Sequence, residues 1–137
     1  MTEPQRAYLA GLIDGEGCIC ITARAGGTYS SFVQVAMCNP SAILFYYKLT
    51  SLGSICIAKN RNNYLARDTT VWTVQTRDGA KLLIEILPYL IVKKQQAELY
   101  LESVEHRKHW KKTELYKSEQ KVFYDKMRVL NKIGKVS

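Results

Sequence analysis

The sequence predicts an α+β fold in which helices cover one face of a single antiparallel sheet. Two pairs of segments alternate apolar and polar residues, as half-buried strands do, and each pair is followed by residues with helical spacing. The length of 137 residues suits one domain with its own core. The predicted order is α-β-β-α-β-β-α, followed by two further helices.

The first element is a helix that begins after Thr2 and ends with Leu9-Ala10-Gly11-Leu12-Ile13-Asp14-Gly15-Glu16. Thr2 is suited to cap it, Gln5 to reach back to the cap, and Pro4 to stand in the first turn, where no donor is lost. The large apolar residues predicted to enter the core are Leu9, Leu12 and Ile13.

Small residues recur every four positions along this helix, at Ala7, Gly11 and Gly15. Glycine within a helix costs about 1 kcal/mol relative to alanine, so the stripe predicts a second backbone at very short range. Because the chain carries one such stripe, we expect the partner to be a second chain related by two-fold symmetry. Glu16 at the helix C-terminus is unfavourable for the helix dipole and calls for a compensating positive group.

Four strands are predicted after this helix. The first follows Gly17 and turns at Gly26-Gly27, the second runs from Ser30 to Met37, the third includes Ile55 and Ile57, and the fourth runs from Val71 to Thr76. The residues predicted to face inward are Ile19, Ile21, Val33, Val35, Met37, Ile55, Ile57, Trp72 and Val74.

The remaining helices are placed by caps and breakers. Asn39-Pro40 begins one that ends at Gly53, Asp78-Gly79 begins one that breaks at Pro88, another runs from Gln95 to about Trp110, and Thr113 caps the last. Their predicted apolar stripes are Ile43, Leu44, Tyr47, Leu49 and Leu52; Leu82, Leu83, Ile86 and Leu87; Ala97, Tyr100, Leu101 and Val104; and Val122, Phe123, Met127, Leu130 and Ile133.

Residues 9–17 resemble the signature helix of the LAGLIDADG homing endonucleases, in their single-motif form. The order of elements follows the αββαββα core of that family. The resemblance implies an antiparallel saddle-like sheet and one endonuclease domain over 1–137, with a core of about 1–110 and a C-terminal helical extension of about 111–137.

The resemblance also implies an activity. Members of the family are intron-encoded, site-specific endonucleases of double-stranded DNA that depend on Mg²⁺ and leave 3′ overhangs. A homodimer would cut a near-palindromic site of about 20 bp, if its half-sites lie one helical turn apart. Mn²⁺ or Ca²⁺ would substitute for Mg²⁺ in binding.

Four residues receive roles through the resemblance. Glu16 and the main-chain carbonyl of Gly15 would hold the metal, and Lys93, five positions after Pro88, would stabilise the transition state. Gln34 is the polar candidate near the scissile phosphate, because the position that relatives fill with a polar residue holds Met37, which is expected in the core. Asp14 is expected to make structural hydrogen bonds.

The polar face of the sheet is the predicted DNA-reading surface. A net charge of +8 and a pI of about 9.4 indicate a polyanionic partner. The candidate base readers are Thr22, Arg24, Gln34, Asn60, Arg61, Thr73 and Gln75, and Arg67 and Arg77 are candidates for phosphate contacts. For each of them, an ordinary solvated strand residue remains the alternative.

Other readings stay open. A DNA-binding regulator or an intron RNA maturase would keep the fold without cleavage, and a structural RNA-binding protein is a further rival. The four cysteines lack zinc spacing and are expected to be thiols in a reducing compartment. His106 and His109 are expected on a solvated basic face. With no signal peptide or membrane-spanning run, a soluble intracellular protein is expected.

Overall fold

The computed structural model describes residues 1–59, 67–109 and 113–133 and has the predicted α+β fold. Within those ranges the chain forms five α-helices and a four-stranded sheet. Their bounds are α1 Glu3–Glu16, β1 Gly17–Arg24, β2 Thr28–Met37, α2 Ser41–Thr50, β3 Ser54–Ala58, β4 Thr69–Gln75, α3 Thr76–Ile86, α4 Lys94–His109 and α5 Glu114–Ile133.

The start of α1 confirms the predicted cap. The Thr2 hydroxyl accepts a hydrogen bond from the Gln5 amide at 3.3 Å, and the Gln5 side chain accepts one from the Thr2 amide at 2.8 Å. Leu9 and Ile13 are fully buried, and Leu12 packs against the core. The helix therefore enters the domain along one apolar face and leaves its other face open.

The sheet has strand order β1-β2-β4-β3, with every pairing antiparallel. β2 and β4 occupy the centre although a helix separates them in sequence, so β1 and β3 are the edge strands. The Asn131 side chain of α5 donates to the Ile19 carbonyl of β1 at 3.1 Å. That contact satisfies part of an otherwise unpaired edge.

The core fills the space between one face of the sheet and the helices. Ile19, Val33 and Trp72 supply it from neighbouring strands, and Leu83 and Tyr100 supply it from α3 and α4. Trp72 also donates from its indole nitrogen to the Leu52 carbonyl at 2.8 Å. The buried polar atom is thus paired, as burial requires.

Four predicted core positions are wrong, three of them on helices. Leu44 and Leu49 are exposed on α2, where Ile43 is buried as predicted together with Tyr46, which was not predicted, and Val122 is exposed on α5. Residues 43–47 are all apolar, so spacing alone could not decide which side of α2 faces the core. On α5 the buried side runs through Gln120 and Met127, which places Val122 off that stripe.

Ile57 is also exposed, although it shares the strand face of Ile55. The face was predicted correctly, but the prediction of burial is wrong because β3 is an edge strand and Ile57 lies near its end. Several element boundaries differ as well, and two of them concern helix ends. α2 ends with Ser51 in the left-handed region rather than at Gly53, and α3 begins at Thr76 rather than at Asp78.

His106 does not lie on a solvated face, contrary to the prediction. Its ring stacks on Tyr116 with centroids 5.4 Å apart and pairs with the Glu119 carboxylate. α5 folds back over this side of α4, a contact that the pattern of α4 alone does not reveal. His109 is exposed, as predicted, and lies 2.6 Å from the Glu105 carboxylate.

Among the described residues, none of the helices has the length and hydropathy needed to cross a membrane.

Candidate active site and nucleic-acid interface

Glu16 is the last residue of α1 and is exposed to solvent. Within the described ranges its carboxylate makes no hydrogen bond or ion pair. The Gly17 amide donates to the Ile13 carbonyl and closes the helix. Gly15 is exposed, and its carbonyl is among those that a helix end leaves without an intrahelical partner. A carboxylate and a main-chain carbonyl are therefore both accessible at one helix end.

Asp14 joins this helix end to the segment before α4. One carboxylate oxygen accepts from the Ile91 amide and the other from the Lys93 amide, both at 2.9 Å. Both oxygens are thus engaged with main-chain donors, which confirms the structural role expected for Asp14. The clasp fixes the position of Lys93 relative to Glu16.

The Lys93 ammonium donates to the Asp14 carbonyl at 2.6 Å. It therefore lies at the C-terminus of α1, where a cation offsets the negative end of the helix dipole. No basic residue in the last turn of α1 does this. A positive group thus lies at the end of the helix that Glu16 closes, and it comes from a residue 77 positions after Glu16 in the sequence.

The oxygen donors at this helix end fit a hard divalent cation. Mg²⁺ prefers oxygen ligands and is commonly held by one or two carboxylates together with water and substrate phosphate. Among the described residues there is no cluster of three or more His, Cys, Asp or Glu side chains suited to a metal. Glu16 and Gly15 would thus need further oxygen ligands from water, phosphate or a second chain.

Gln34 lies on the open face of the sheet, close in register to the end of α1. It pairs across the strands with Cys18 and with Thr73, and its amide donates to the Thr73 hydroxyl at 3.1 Å. Met37 is half-buried and packs against the core. Gln34 is therefore the polar residue of β2 that the sheet presents near Glu16.

The other candidate readers occupy the same open face. Arg24 donates to the Ser30 hydroxyl at 2.9 Å, and the Thr22 hydroxyl lies 3.1 Å from that same oxygen. Gln75 is exposed at the end of β4. The described strand residues on this face include no acidic side chain.

The candidates outside the strands are placed differently. Arg67 is exposed just before β4, whereas Arg77 lies at the start of α3 beside a cavity on the helical side. Asn60 and Arg61 lie outside the described residues.

The stripe of small residues on α1 is open in the single chain. Ala7, Gly11 and Gly15 are exposed, and a methyl group built on either glycine meets nothing within 4 Å. Glycine is thus not required at these positions by contacts within the described chain. The stripe remains available to another molecule.

Two contacts of the site could not be predicted from the sequence pattern. The Asp14 clasp joins residues far apart in sequence, and periodicity carries no signal for such a contact. The sulfur atoms of Cys18 and Cys20 lie 2.8 Å apart on the open face. Residues two apart in a strand share a face, but alternation does not predict how close their side chains come.

Comparison with known proteins gives a fold but no relative at the sequence level. No protein-family model matches the chain, and no curated protein matches it. Solved structures do match. The homing endonuclease I-CvuI in complex with its target, in the presence of Ca, has a TM-score of 0.76 and 24% identity, over 93% of this chain and 82% of that one.

Two further solved structures have a similar fold. The archaeal intron-encoded homing endonuclease I-Vdi141I complexed with DNA has a TM-score of 0.71 and 13% identity, over 93% of this chain and 84% of that one. The LAGLIDADG meganuclease I-AabMI bound to uncleaved DNA has a TM-score of 0.70 and 21% identity, over 87% of this chain and 43% of that one.

Proposed function

Starting from the LAGLIDADG homing-endonuclease fold that this chain has, we propose that it is a Mg²⁺-dependent, site-specific DNA endonuclease that acts as a homodimer. One observation carries the proposal above the others. An exposed carboxylate without a partner in the described chain, Glu16, ends the helix that the Lys93 ammonium also reaches, beside an acid-free sheet face.

A second copy of the chain is the partner that the open stripe on α1 suits best. The side-chain volume along this stripe is minimal, at Ala7, Gly11 and Gly15, so two α1 helices can approach closely around a two-fold axis. Such an approach brings two Glu16 carboxylates near each other. Like charges at short range are unfavourable, and divalent metal and phosphate relieve that repulsion.

The chemistry of phosphodiester hydrolysis assigns a task to each group. Bound Mg²⁺ would activate water and neutralise charge on the phosphoryl and leaving oxygens. Glu16 and the Gly15 carbonyl would hold the cation, and Lys93 would stabilise negative charge that develops on the phosphate oxygens. Gln34, held by Thr73, would orient polar groups near the scissile phosphate.

The sheet face would read the DNA. A curved antiparallel ribbon can enter the major groove, where base edges carry a full donor and acceptor code. Thr22, Arg24, Thr73 and Gln75 offer hydroxyl, guanidinium and amide groups there, and the chain's net charge of +8 doubles to +16 in a dimer. A target of about 20 bp cut on both strands with 3′ overhangs completes the proposal.

A cleavage-inactive DNA-binding regulator or maturase is the second candidate. The observation in its favour is Met37, whose apolar side chain packs against the core at the position that relatives fill with a polar residue. Retention of Glu16 and Lys93 favours the endonuclease.

The test is incubation of the purified protein with a randomised duplex library, in Mg²⁺ and in Ca²⁺, with sequencing of the ends and of the bound fraction. If the protein is an endonuclease, we expect cleavage ends related by two-fold symmetry in Mg²⁺ and no such ends in Ca²⁺. If a near-palindromic sequence is enriched in the bound fraction but no cleavage ends appear, the cleavage-inactive regulator or maturase replaces the endonuclease proposal. Absence of both would overturn the DNA proposal.

A further inference from the structure

A cavity of about 300 Å³ lies on the helical side of the sheet, at the tip of the β1–β2 hairpin. Four cationic side chains line it: Arg77 of α3, Arg107 and Lys108 of α4, and Lys117 of α5. We refer to it as the cationic pocket. Its wall includes no Asp or Glu among the described residues.

Arg107 is the most informative of the four. Its guanidinium is half-buried and donates to the Gln120 side-chain oxygen at 2.9 Å and to the Ser31 hydroxyl at 2.8 Å. Both acceptors are neutral, and no carboxylate pairs with Arg107 in the described part of the chain. Burial lowers the pKa of Arg107, which reflects the cost of withdrawing a cation from water without a counter-charge.

The position of that guanidinium is fixed by a buried network. Gln120 is 2% exposed, and its amide nitrogen lies 2.7 Å from a ring nitrogen of His106. His106 in turn pairs with the Glu119 carboxylate. The bonds to Gln120 and Ser31 use Nε and Nη2 and hold the guanidinium in place, while Nη1 makes no hydrogen bond in the described chain. A donor group fixed in this way lowers the ordering cost of binding.

The other three cations have weak counter-charges or none. Lys108 lies 3.4 Å from Glu105, and Lys117 lies 3.8 Å from a Glu114 carboxylate that is 94% exposed. Exposed pairs of this kind contribute about 0–1 kcal/mol. Arg77 has no ion pair within the described ranges. The pocket therefore concentrates positive charge that the described chain compensates only in part.

We propose that the cationic pocket is a binding site for a phosphate group. A guanidinium presents paired donors that match the spacing of phosphate oxygens, and lysines add charge without demanding one geometry. The volume admits a phosphate together with an ester substituent, and Thr28 and Tyr116 add hydroxyl groups at the wall. A tetrahedral dianion or a diester monoanion both satisfy this chemistry.

The pocket is separate from the proposed active site. Glu16 precedes the first residue of β1, whereas Gly27 and Thr28 follow its last residue. Eight strand residues span about 26 Å at the usual rise of a strand. The phosphate bound here is thus not the scissile one, and it belongs either to a distant part of the DNA backbone or to a free phosphate compound.

The test uses the full chain titrated with inorganic phosphate, against chloride at matched ionic strength, and followed by backbone amide NMR. We expect saturable shifts at Gly27, Thr28 and Tyr116. The double variant Arg77→Gln/Lys117→Gln should bind phosphate at least tenfold more weakly. Lys81→Gln/Lys121→Gln is the matched control, because these lysines lie on the same helices outside the pocket.

The substitutions lie at the surface, and circular dichroism verifies that each variant is folded. Absence of saturable shifts in the wild-type chain, or equal weakening in the control, would overturn the proposal. Since this titration uses no DNA, it stands or falls separately from the endonuclease.

Addition of a DNA duplex that the protein binds distinguishes the two sources of phosphate, the DNA backbone and a free phosphate compound. If the duplex displaces phosphate from the pocket, the natural ligand is the DNA backbone. In that case the pocket variant should also show a salt dependence of DNA binding reduced by about one phosphate contact. If phosphate and duplex bind together, the ligand is a free phosphate compound. Either result supports a phosphate site.

Discussion

At the scale of single residues, the two carboxylate oxygens of Asp14 decide where the site forms. They hold the Ile91 and Lys93 amides, and the Lys93 ammonium reaches back to the Asp14 carbonyl. The sequence offered Glu16 and Lys93 as separate candidates on the strength of spacing and resemblance. Their juxtaposition depends on a tertiary contact that no local pattern encodes.

Asp14→Asn tests the clasp. The amide replaces one acceptor oxygen with a donor, so one of the two main-chain N–H groups loses its partner. We expect the free energy of unfolding in urea to fall by about 1–3 kcal/mol. Asp125→Asn on the exposed side of α5 is the control and should change stability by about 0.5 kcal/mol or less. Equal effects of the two substitutions would contradict the clasp.

Lys93→Gln tests the catalytic assignment. Loss of a charge that stabilises the transition state should slow cleavage by about 10²–10³-fold while leaving DNA affinity nearly unchanged. Single-turnover cleavage and a binding titration on the same duplex measure the two effects. Lys94→Gln, at the exposed start of α4, serves as control. A parallel loss of affinity in both variants would reduce Lys93 to a phosphate contact.

At the scale of elements, the type and order of the helices and strands could be predicted from the sequence. Which residues are buried could be predicted only where the apolar pattern was unambiguous. Strands β1, β2 and β4 alternate clearly, and their inward residues are buried as predicted, apart from Met37 at the end of β2, which is half-buried. α2 has a continuous apolar run over 42–47, so its orientation is decided by packing against β4 and α1, where the Tyr46 hydroxyl donates to the Gln5 carbonyl. Sheet order, likewise, depends on long-range pairing.

Gly79→Ala tests how closely α3 and α4 pack. An added methyl group at this buried position would overlap the Tyr100 hydroxyl and lie 3.0 Å from the Val74 carbonyl. Tyr100 cannot move aside, because it is fully buried and its hydroxyl donates a hydrogen bond to the Thr76 carbonyl. We therefore expect the free energy of unfolding, measured by heat or urea, to fall by about 1–3 kcal/mol. Gly11→Ala in dilute protein is the matched control. A neutral Gly79→Ala would show the contact to be looser than described.

At the scale of the whole molecule, the proposed site is incomplete in one chain. The described part of a single chain offers one accessible carboxylate at the end of α1, and the helix face beside it is unpartnered. A homodimer supplies both a second acid and a cover for the stripe. Dimerisation and cleavage should therefore fail together.

Gly11→Leu tests that dependence. Gly11 is exposed and a methyl group added there meets nothing within 4 Å in the single chain, so the circular dichroism spectrum of the variant should remain that of the wild type. It would hold two α1 helices apart, and sedimentation should show a shift from dimer to monomer with loss of double-strand cutting. Glu102→Leu, on an exposed position of α4, is the control. A dimeric, active Gly11→Leu protein would contradict the stripe as the interface.

The most direct test of the central claim is the Glu16→Gln variant on a duplex selected by the wild-type protein. Cleavage in Mg²⁺ and binding in Ca²⁺ are measured side by side, with Glu98→Gln as the control. We predict that cleavage falls by at least about 10²–10³-fold while affinity for the duplex is retained. If Glu16→Gln cuts at the wild-type rate, Glu16 is not the metal-binding acid, and the proposed active site is wrong.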